Sequence, residues 1–200
     1  MKPVPSPDAA GEQITVGVLA LQGDFEAHGK VLARLGAQLR EVRVPVDLEG
    51  LDGLVIPGGE STTISLGIER EQLAEPLRAF HASGKPIFGT CAGLIILDRE
   101  HLGIIDIRAE RNAFGRQVRS FEAPLEIGLA GGPVEAIFIR APWIDQHGPS
   151  VEILAEVEGH GVAAREGTVL VVAFHPELGD DDRVHELFLQ SVRDARLAAA

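Results

Sequence analysis

The sequence predicts an α/β domain built on a mostly parallel sheet, and three observations carry that prediction. Apolar runs of strand length alternate with helix-period segments through the first half of the 200-residue chain. The run at residues 14–21 is almost continuously apolar and rich in β-branched side chains, as is the run at 169–174, which suits strands covered on both faces. Several runs end directly in short polar or glycine-rich turns, the edge at which α/β sheets hold their chemistry.

Taken in order, residues 14–21 form the first strand and end at Gln22-Gly23-Asp24. Asp24 caps a helix that carries Phe25, His28, Val31, Leu32 and Leu35 on one stripe, and Gly36 stops it. Residues 39–44 alternate as a second strand ending at Pro45. Residues 51–56 supply a third, which runs into the loop Pro57-Gly58-Gly59-Glu60-Ser61. Leu73, Leu77 and Phe80 lie at helical spacing, and Ser83-Gly84-Lys85-Pro86 turns the chain into a short strand ending at Gly89-Thr90-Cys91-Ala92-Gly93 and a further helix. Beyond that helix, residues 104–109, 121–129, 134–139, 151–157 and 162–165 read as strands joined by short turns, with Gly159-His160-Gly161 as a hairpin tip. These strands are expected to add antiparallel pairing at one side of the sheet. Residues 169–174 return to His175-Pro176-Glu177, and a last helix turns Val184, Leu187, Phe188 and Val192 inward before a frayed Ala198-Ala199-Ala200. No repeat or linker divides the chain, so residues 14–196 form one domain behind a flexible, proline-containing tail at 1–13.

Composition bounds the function. Hydrophobic residues at 45% supply a full core for a single domain, and a net charge of −12 argues against nucleic acid or an anionic membrane as partner. One cysteine rules out an internal disulfide framework and fits a reducing cytoplasm. The N-terminus lacks an apolar core of signal-peptide length and no run reaches bilayer-spanning length, so a cytoplasmic chain is expected.

That single cysteine sits in a G-x-C-x-G turn between strand and helix, the form of a nucleophile elbow. There the side chain projects from the sheet end and the backbone N–H of Ala92 faces a developing oxyanion. The competing reading is a small buried apolar residue, since free cysteines are commonly interior. His175 and Glu177 stand two apart at a strand end, and an extended chain, favoured by Pro176, would place both on one face. A thiol, a base and an orienting carboxylate make a triad, although a strand-end histidine beside a surface glutamate is the plainer alternative. The Gly58-Gly59 pair can turn N–H groups inward as oxyanion donors or can be an ordinary loop. His28, His81, His101, His147, His160, His175 and His185 show no metal-ligand spacing with the cysteine, so no metal is expected.

Together these strand-end signals match a known pattern. The segments Gly17-Val18-Leu19-Ala20-Leu21-Gln22-Gly23, Pro57-Gly58-Gly59-Glu60-Ser61-Thr62-Thr63 and Gly89-Thr90-Cys91-Ala92-Gly93-Leu94-Ile95 resemble the class I, triad-type glutamine amidotransferases. So do Glu110-Arg111-Asn112-Ala113-Phe114-Gly115-Arg116-Gln117, Phe138-Ile139-Arg140-Ala141-Pro142 and Phe174-His175-Pro176-Glu177-Leu178. Within that class the chain more closely resembles the glutaminase-subunit family of two-component pyridoxal 5′-phosphate synthases.

The resemblance implies a three-layer, flavodoxin-like fold with a mixed, mostly parallel central sheet and helices on both faces. It implies that Cys91 attacks the side-chain amide of L-glutamine, His175 moves the proton and Glu177 orients His175. Gly59 and Ala92 would form the oxyanion hole, while Gly59, Glu60, Ser61, Arg111, Ile139 and Arg140 would hold the glutamine. Gln22 would lie beside the active site near a partner surface. Ammonia would pass to a separate synthase subunit in a hetero-oligomeric complex, and the chain would need no cofactor of its own. Arg99-Glu100-His101-Leu102-Gly103 is shorter than in many relatives, which is expected to trim an exposed loop and leave the triad alone. A glutaminase serving another synthase, such as the one in histidine biosynthesis, and a thiol hydrolase or peptidase remain as alternatives, as does a non-catalytic regulatory module.

Overall fold

The first apolar run folds as β1 (Thr15–Leu19), which opens a sheet seen in a computed structural model that describes residues 13–111 and 120–199. The expected N-terminal tail up to residue 12, Ala200 and residues 112–117 of the arginine-containing motif lie outside the described residues. After β1 come α1 (Phe25–Arg34), β2 (Gln38–Val42), a 3-10 turn at Pro45–Leu48, β3 (Gly53–Ile56), α2 (Ser61–Arg70), α3 (Ala74–Ala82), β4 (Ile87–Thr90) and α4 (Ala92–Leu97). Asp24 is the N-cap residue of α1, yet its side chain makes no cap hydrogen bond; its backbone N–H instead donates to Gly58 O at 3.3 Å. The stop at Gly36 holds, with φ at 88°.

Helix α2 is not expected from the sequence. Where a loop is expected at Glu60-Ser61, Glu60 caps a helix by accepting from the N–H groups of Thr62 and Thr63. Glutamate is outside the usual set of cap residues, and the Ser-Thr-Thr-Ile-Ser opening is poor in strong helix formers, so neither boundary nor interior advertises the element.

Among the described residues nine strands form the main sheet, in the order β2-β1-β3-β4-β11-β10-β8-β5, with β9 paired to β10. Its later members are β5 (Ile107–Glu110), β8 (Trp143–His147), β9 (Glu152–Val157), β10 (His160–Glu166) and β11 (Val169–Val172). The pairs β1–β2, β1–β3, β3–β4 and β4–β11 are parallel, and β10 pairs antiparallel with β11, β9 and β8. The chain steps to opposite sides of β1 to make β2 and β3, which creates the switch point where such sheets bind ligands.

Phe88 on β4 meets His28 of α1 and both His185 and Phe188 of α5 (Arg183–Ala199). A Cβ on the next residue, Gly89, would instead meet Leu97 and Gly93 of α4. Neighbouring strand residues face opposite sides, so α1 and α5 cover one face and α4 the other. α2 packs on α4, completing that second layer.

Three other expectations need correction. β6 (Ser120–Leu125) and β7 (Val134–Ile139) form a separate two-stranded sheet and do not extend the main one. Phe121 stacks on Phe138 at 4.5 Å, and the His175 N–H donates to Ile137 O at 2.8 Å, which ties this hairpin across the strand ends. The hairpin tip falls on Glu158 and Gly159, with φ of 53° and 79°, and His160 is already in β10, its ring stacked on Trp143 of the unforeseen β8. The last helix also runs through Ala199, so Ala198 and Ala199 are helical.

Candidate active site

Four strand ends converge on one cavity of about 310 Å³. Gln22 and Asp24 arrive from β1, Gly59, Glu60 and Ser61 from β3, Cys91, Ala92 and Ile95 from β4 and α4, and His175 from β11. Ile139, Arg140 and Pro142 reach it from the β6–β7 hairpin, and Arg111 closes the rim. Of the residues expected in substrate binding or catalysis, all but the more deeply set Glu177 line the cavity, as do Ala92 and Gln22.

Cys91 holds φ 47° and ψ −104° between β4 and α4. Positive φ is costly for any residue with a Cβ, and such strain collects at functional sites because the surroundings impose it. Here the surroundings are specific: the Cys91 N–H donates to Val172 O at 2.8 Å, and α4 is buried along its whole length. The flanking glycines are close-approach positions, since a Cβ on Gly93 would lie 2.0 Å from Ile56 O. The Cys91 Sγ lies 3.9 Å from Ile139 O.

His175 sits 6% exposed beside Cys91, and a Cβ on Gly58 would strike its ring. Its Nδ1 lies 2.7 Å from Glu177 Oε1. The route to that contact differs from the extended one expected: Pro176 opens a 3-10 turn (Pro176–Leu178), so the turn, and not strand alternation, brings Glu177 under the ring. Proline is well suited to a first helical position, where no N–H is needed. Burial on its own would lower the His175 pKa, but hydrogen bonds to Cys91 and Glu177 and their charges raise it to about 10. The imidazolium is therefore the favoured form at neutral pH, with its Nδ1–H donated to Glu177.

This sets a pH dependence. A histidine whose folded pKa lies above its unfolded value of about 6.5 stabilises the fold fully below that value, and the contribution fades as pH rises through about 10. Glu177→Gln removes one of the causes, so the wild-type advantage in urea midpoint over this variant is greatest near pH 6 and shrinks steadily toward pH 10. A gap that stays constant over that range would contradict the His175–Glu177 coupling.

Glu60 is committed locally. Its carboxylate accepts from Thr62 N–H at 3.1 Å and from Thr63 N–H and Oγ1–H at 2.8 Å each, and these bonds, the Thr63 hydroxyl foremost, lower its pKa to about 2. It is a fixed anion on the cavity wall. Gln22 is equally structural in its reach: its Oε1 accepts from the Glu60 N–H at 2.7 Å and packs against Gly59, whose φ is 152°. Arg140 is a non-glycine residue at φ 46° and is exposed at the hairpin end.

The segment after α4 carries more than the trimmed, exposed loop expected there. Buried Asp98 organises it by accepting from the N–H groups of Glu100, His101 and Ala109. His101 Nδ1 lies 2.8 Å from Asp98 Oδ1, and His101 Nε2 lies 3.3 Å from the Arg111 guanidinium. Arginine can only donate, so His101 Nε2 accepts and its proton sits on Nδ1 toward Asp98. The guanidinium also donates to Thr62 Oγ1 at 3.3 Å, which places a cation on the cavity wall that also carries Glu60. No pattern in the sequence joins residues 98, 101 and 111; only the turn geometry does.

Other groups escape a reading of the sequence outright. Asp24, which reads only as a helix cap, lines the cavity, and donor atoms of Asp24, His175 and Glu177 lie within 4.8 Å of one another. The His175–Glu177 hydrogen bond occupies two of these groups, which favours triad duty over ion binding. Thr90 is fully buried and its Oγ1 accepts from the Gly58 N–H at 3.0 Å, which holds the glycine loop to the elbow strand.

The family follows from a sequence comparison: the pattern of the SNO glutamine amidotransferase family matches residues 18–194. The chain belongs to that family. This amidotransferase is 52% identical over 190 residues to the pyridoxal 5′-phosphate synthase subunit PdxT of Frankia casuarinae, covering 90% of this chain and 96% of that one. It is 50% identical to the subunit of the same name from Geobacillus kaustophilus, with 92% and 98% covered. A crystal structure of a glutamine amidotransferase superposes on it at a TM-score of 0.84 with 45% identity, covering 88% of this chain and 98% of that chain. The crystal structure of a putative GMP synthase component from Thermoplasma acidophilum, 18% identical with a TM-score of 0.72, covers 94% and 98% and shares the fold.

Proposed function

We propose that this chain is the glutaminase subunit of a pyridoxal 5′-phosphate synthase, hydrolysing L-glutamine to L-glutamate and ammonia and passing the ammonia to a separate synthase subunit. The observation that carries the reading is the Cys91–His175–Glu177 arrangement in a cavity whose walls also hold a fixed anion, Glu60, and a fixed cation, Arg111. A zwitterionic amino acid needs both. The curated relatives named as subunits of that synthase, at about half identity along nearly their full length, support the choice of partner.

In this mechanism the Cys91 thiolate adds to the side-chain amide carbon of glutamine while His175 holds the proton. The oxyanion is met by the N–H groups of Gly59 and Ala92, donors of a kind that lower such barriers by roughly 3 to 4 kcal/mol. His175 gives its proton to the amide nitrogen, the C–N bond breaks, and ammonia leaves with a γ-glutamyl thioester on Cys91. Water, deprotonated by His175, then attacks the thioester carbon, and the C–S bond breaks to release glutamate and restore the thiolate–imidazolium pair. Glu177 keeps the His175 proton on Nδ1 throughout, so that Nε2 serves the reacting atoms. Ser61, Ile139 and Arg140 complete the glutamine contacts.

No second catalytic centre is needed on this chain for that division of labour, and the acidic composition leaves nucleic acid an unsuitable partner. Among the described residues no helix is long and apolar enough to cross a membrane. A single thiol that must stay reduced to react suits work in the cytoplasm.

The direct test measures glutamate release from glutamine with and without the synthase subunit. Strong activation by that subunit supports the reading, whereas peptide or ester hydrolysis without glutaminase activity overturns it. Activation by the histidine-biosynthesis synthase instead would move the chain to the other amidotransferase reading. Arg111→Ala should raise KM for glutamine about 10-fold or more with a smaller change in kcat, because the lost contact is made equally in ground and transition states. A fall in kcat at unchanged KM would remove Arg111 from substrate binding.

A further inference from the structure

Two buried histidines with no part in the chemistry above stand directly behind the triad. His28 on α1 and His185 on α5 are fully buried, and His28 Nδ1 lies 2.9 Å from His185 Nε2. On its other side, His28 Nε2 lies 3.1 Å from Thr90 Oγ1 and 3.3 Å from Glu177 Oε2. Glu177 Oε1 is the oxygen that meets His175. A line of close polar contacts therefore runs from Cys91 through His175, Glu177 and His28 to His185, and joins both helices of one face to the elbow.

The proton positions along this line follow from what each atom faces. Both rings are neutral: burial, then the neighbouring His185 and His175, hold His28 well below its ordinary value. Burial likewise holds His185 down to about 4, against the pull of Asp182 and with the help of Arg34. A neutral imidazole carries one N–H. If the His28 proton sat on Nδ1, it would donate to His185 Nε2 and force the His185 proton onto Nδ1. That atom is buried and without a hydrogen-bond partner among the described residues, so a donor would be stranded. The bare His28 Nε2 would also point its lone pair at the Glu177 carboxylate. The opposite arrangement removes the second fault and leaves His185 Nδ1 a bare acceptor instead of a stranded donor: His185 Nε2–H donates to His28 Nδ1, and His28 Nε2–H points toward Thr90 Oγ1 with Glu177 Oε2 3.3 Å from the same nitrogen. The Glu177 Oε2 contact at 3.3 Å is not a hydrogen bond, so His28 acts on that oxygen only electrostatically, through the positive end of its N–H dipole.

We propose that His28 is a positioning residue of this triad, holding the Glu177 carboxylate through its Nε2–H, and that His185 fixes the His28 tautomer. The inference rests on the triad reading of the site. Glu177 Oε2 is buried and makes no hydrogen bond among the described residues, and His28 Nε2 lies 3.3 Å from it. Without the His28 dipole the carboxylate is free to rotate away from His175 or to take up a proton, and either change weakens the base. The charged and titratable groups facing this line are Asp24 and His175 beside Glu177, and Asp182 and Arg34 beside His185.

The test compares His28→Gln with His28→Asn, because a glutamine amide places its N–H₂ near the imidazole Nε2 position whereas an asparagine amide reproduces the Nδ1 side. Three measurements are needed: glutamine hydrolysis by the complex with the synthase subunit, the pH dependence of Cys91 alkylation by iodoacetamide, and the urea midpoint. His28→Gln should retain most of kcat. His28→Asn should lose about 10-fold or more in kcat at little-changed KM, a loss typical of a slightly misplaced catalytic group, and should shift the alkylation profile. Equal activity in the two variants, or a loss that only follows the urea midpoint with no change in pH profile, would overturn the proposal. Cys91→Ala run alongside separates the levels: if it retains hydrolysis, the triad reading itself fails, whereas an inactive Cys91→Ala with an unaffected His28→Asn removes only the role of His28.

Discussion

Cys91→Ala should abolish glutamine hydrolysis, by about 10⁴-fold or more, while the folded chain still assembles with the synthase subunit and the complex still uses added ammonia. The size of the loss follows from the division of roles: no other thiol exists in the chain, and no hydroxyl expected at the site occupies the elbow position. The fold should survive because the φ of 47° at this position is imposed on any residue with a Cβ, so alanine inherits the strain and adds none. The change also removes a cause of the raised His175 pKa, which should therefore fall from about 10. The two halves of the expectation are read separately, by glutamate release and by product formation with ammonium salt. Retained glutaminase activity would remove Cys91 as nucleophile; loss of the ammonia-dependent reaction as well would show that the variant disturbs the complex and not only the chemistry.

The parts of this site that can be read in the sequence are those where one short segment contains its own explanation. The G-x-C-x-G turn states its geometry, because the glycines that let α4 approach β3 and Leu97 approach β4 flank Cys91. The continuous apolar runs at β1 and β11 state that both faces are covered, as they are. The spacing of His175 and Glu177 suggests a pair, and the two side chains do meet, but a 3-10 turn and not an extended strand joins them. What stays hidden depends on contacts between distant segments. His28 reads as one polar member of an apolar helix stripe, and only the packing of α1 against α5 and β4 reveals it behind Glu177. His101 reads as part of a loop until Asp98 turns it toward Arg111. The seat of the separate β6–β7 hairpin is equally non-local, marked by the His175 N–H that donates to Ile137 O. Local chemistry is legible from composition and spacing; the shell that orients it is not.

Gly93→Ala should be strongly damaging although it adds only one methyl, costing about 3 kcal/mol or more of stability, the upper range for overpacking a rigid core. The added Cβ would stand 2.0 Å from Ile56 O and 2.9 Å from Ile56 C, backbone atoms that have no rotamer with which to move aside. Ile56 is held in β3 by register with Gly89 of β4, and α4 is buried at every residue, so neither partner of the clash can retreat alone. A shift of α4 would displace Cys91 at its N-terminus and Ala92 with it, and a shift of Ile56 would displace Pro57-Gly58-Gly59. Gly84→Ala provides the contrast: its φ of 81° carries the backbone penalty, but nothing lies within 4 Å of the new methyl, so the cost should stay at about 1 to 2 kcal/mol. Urea unfolding followed for both variants should show a much larger fall in midpoint for Gly93→Ala than for Gly84→Ala. The folded fraction of Gly93→Ala should also alkylate Cys91 abnormally, whereas Gly84→Ala should match the wild type. If the two midpoints fell equally, the close approach of α4 to β3 would not be what sets the elbow, and the strain at Cys91 would need another source.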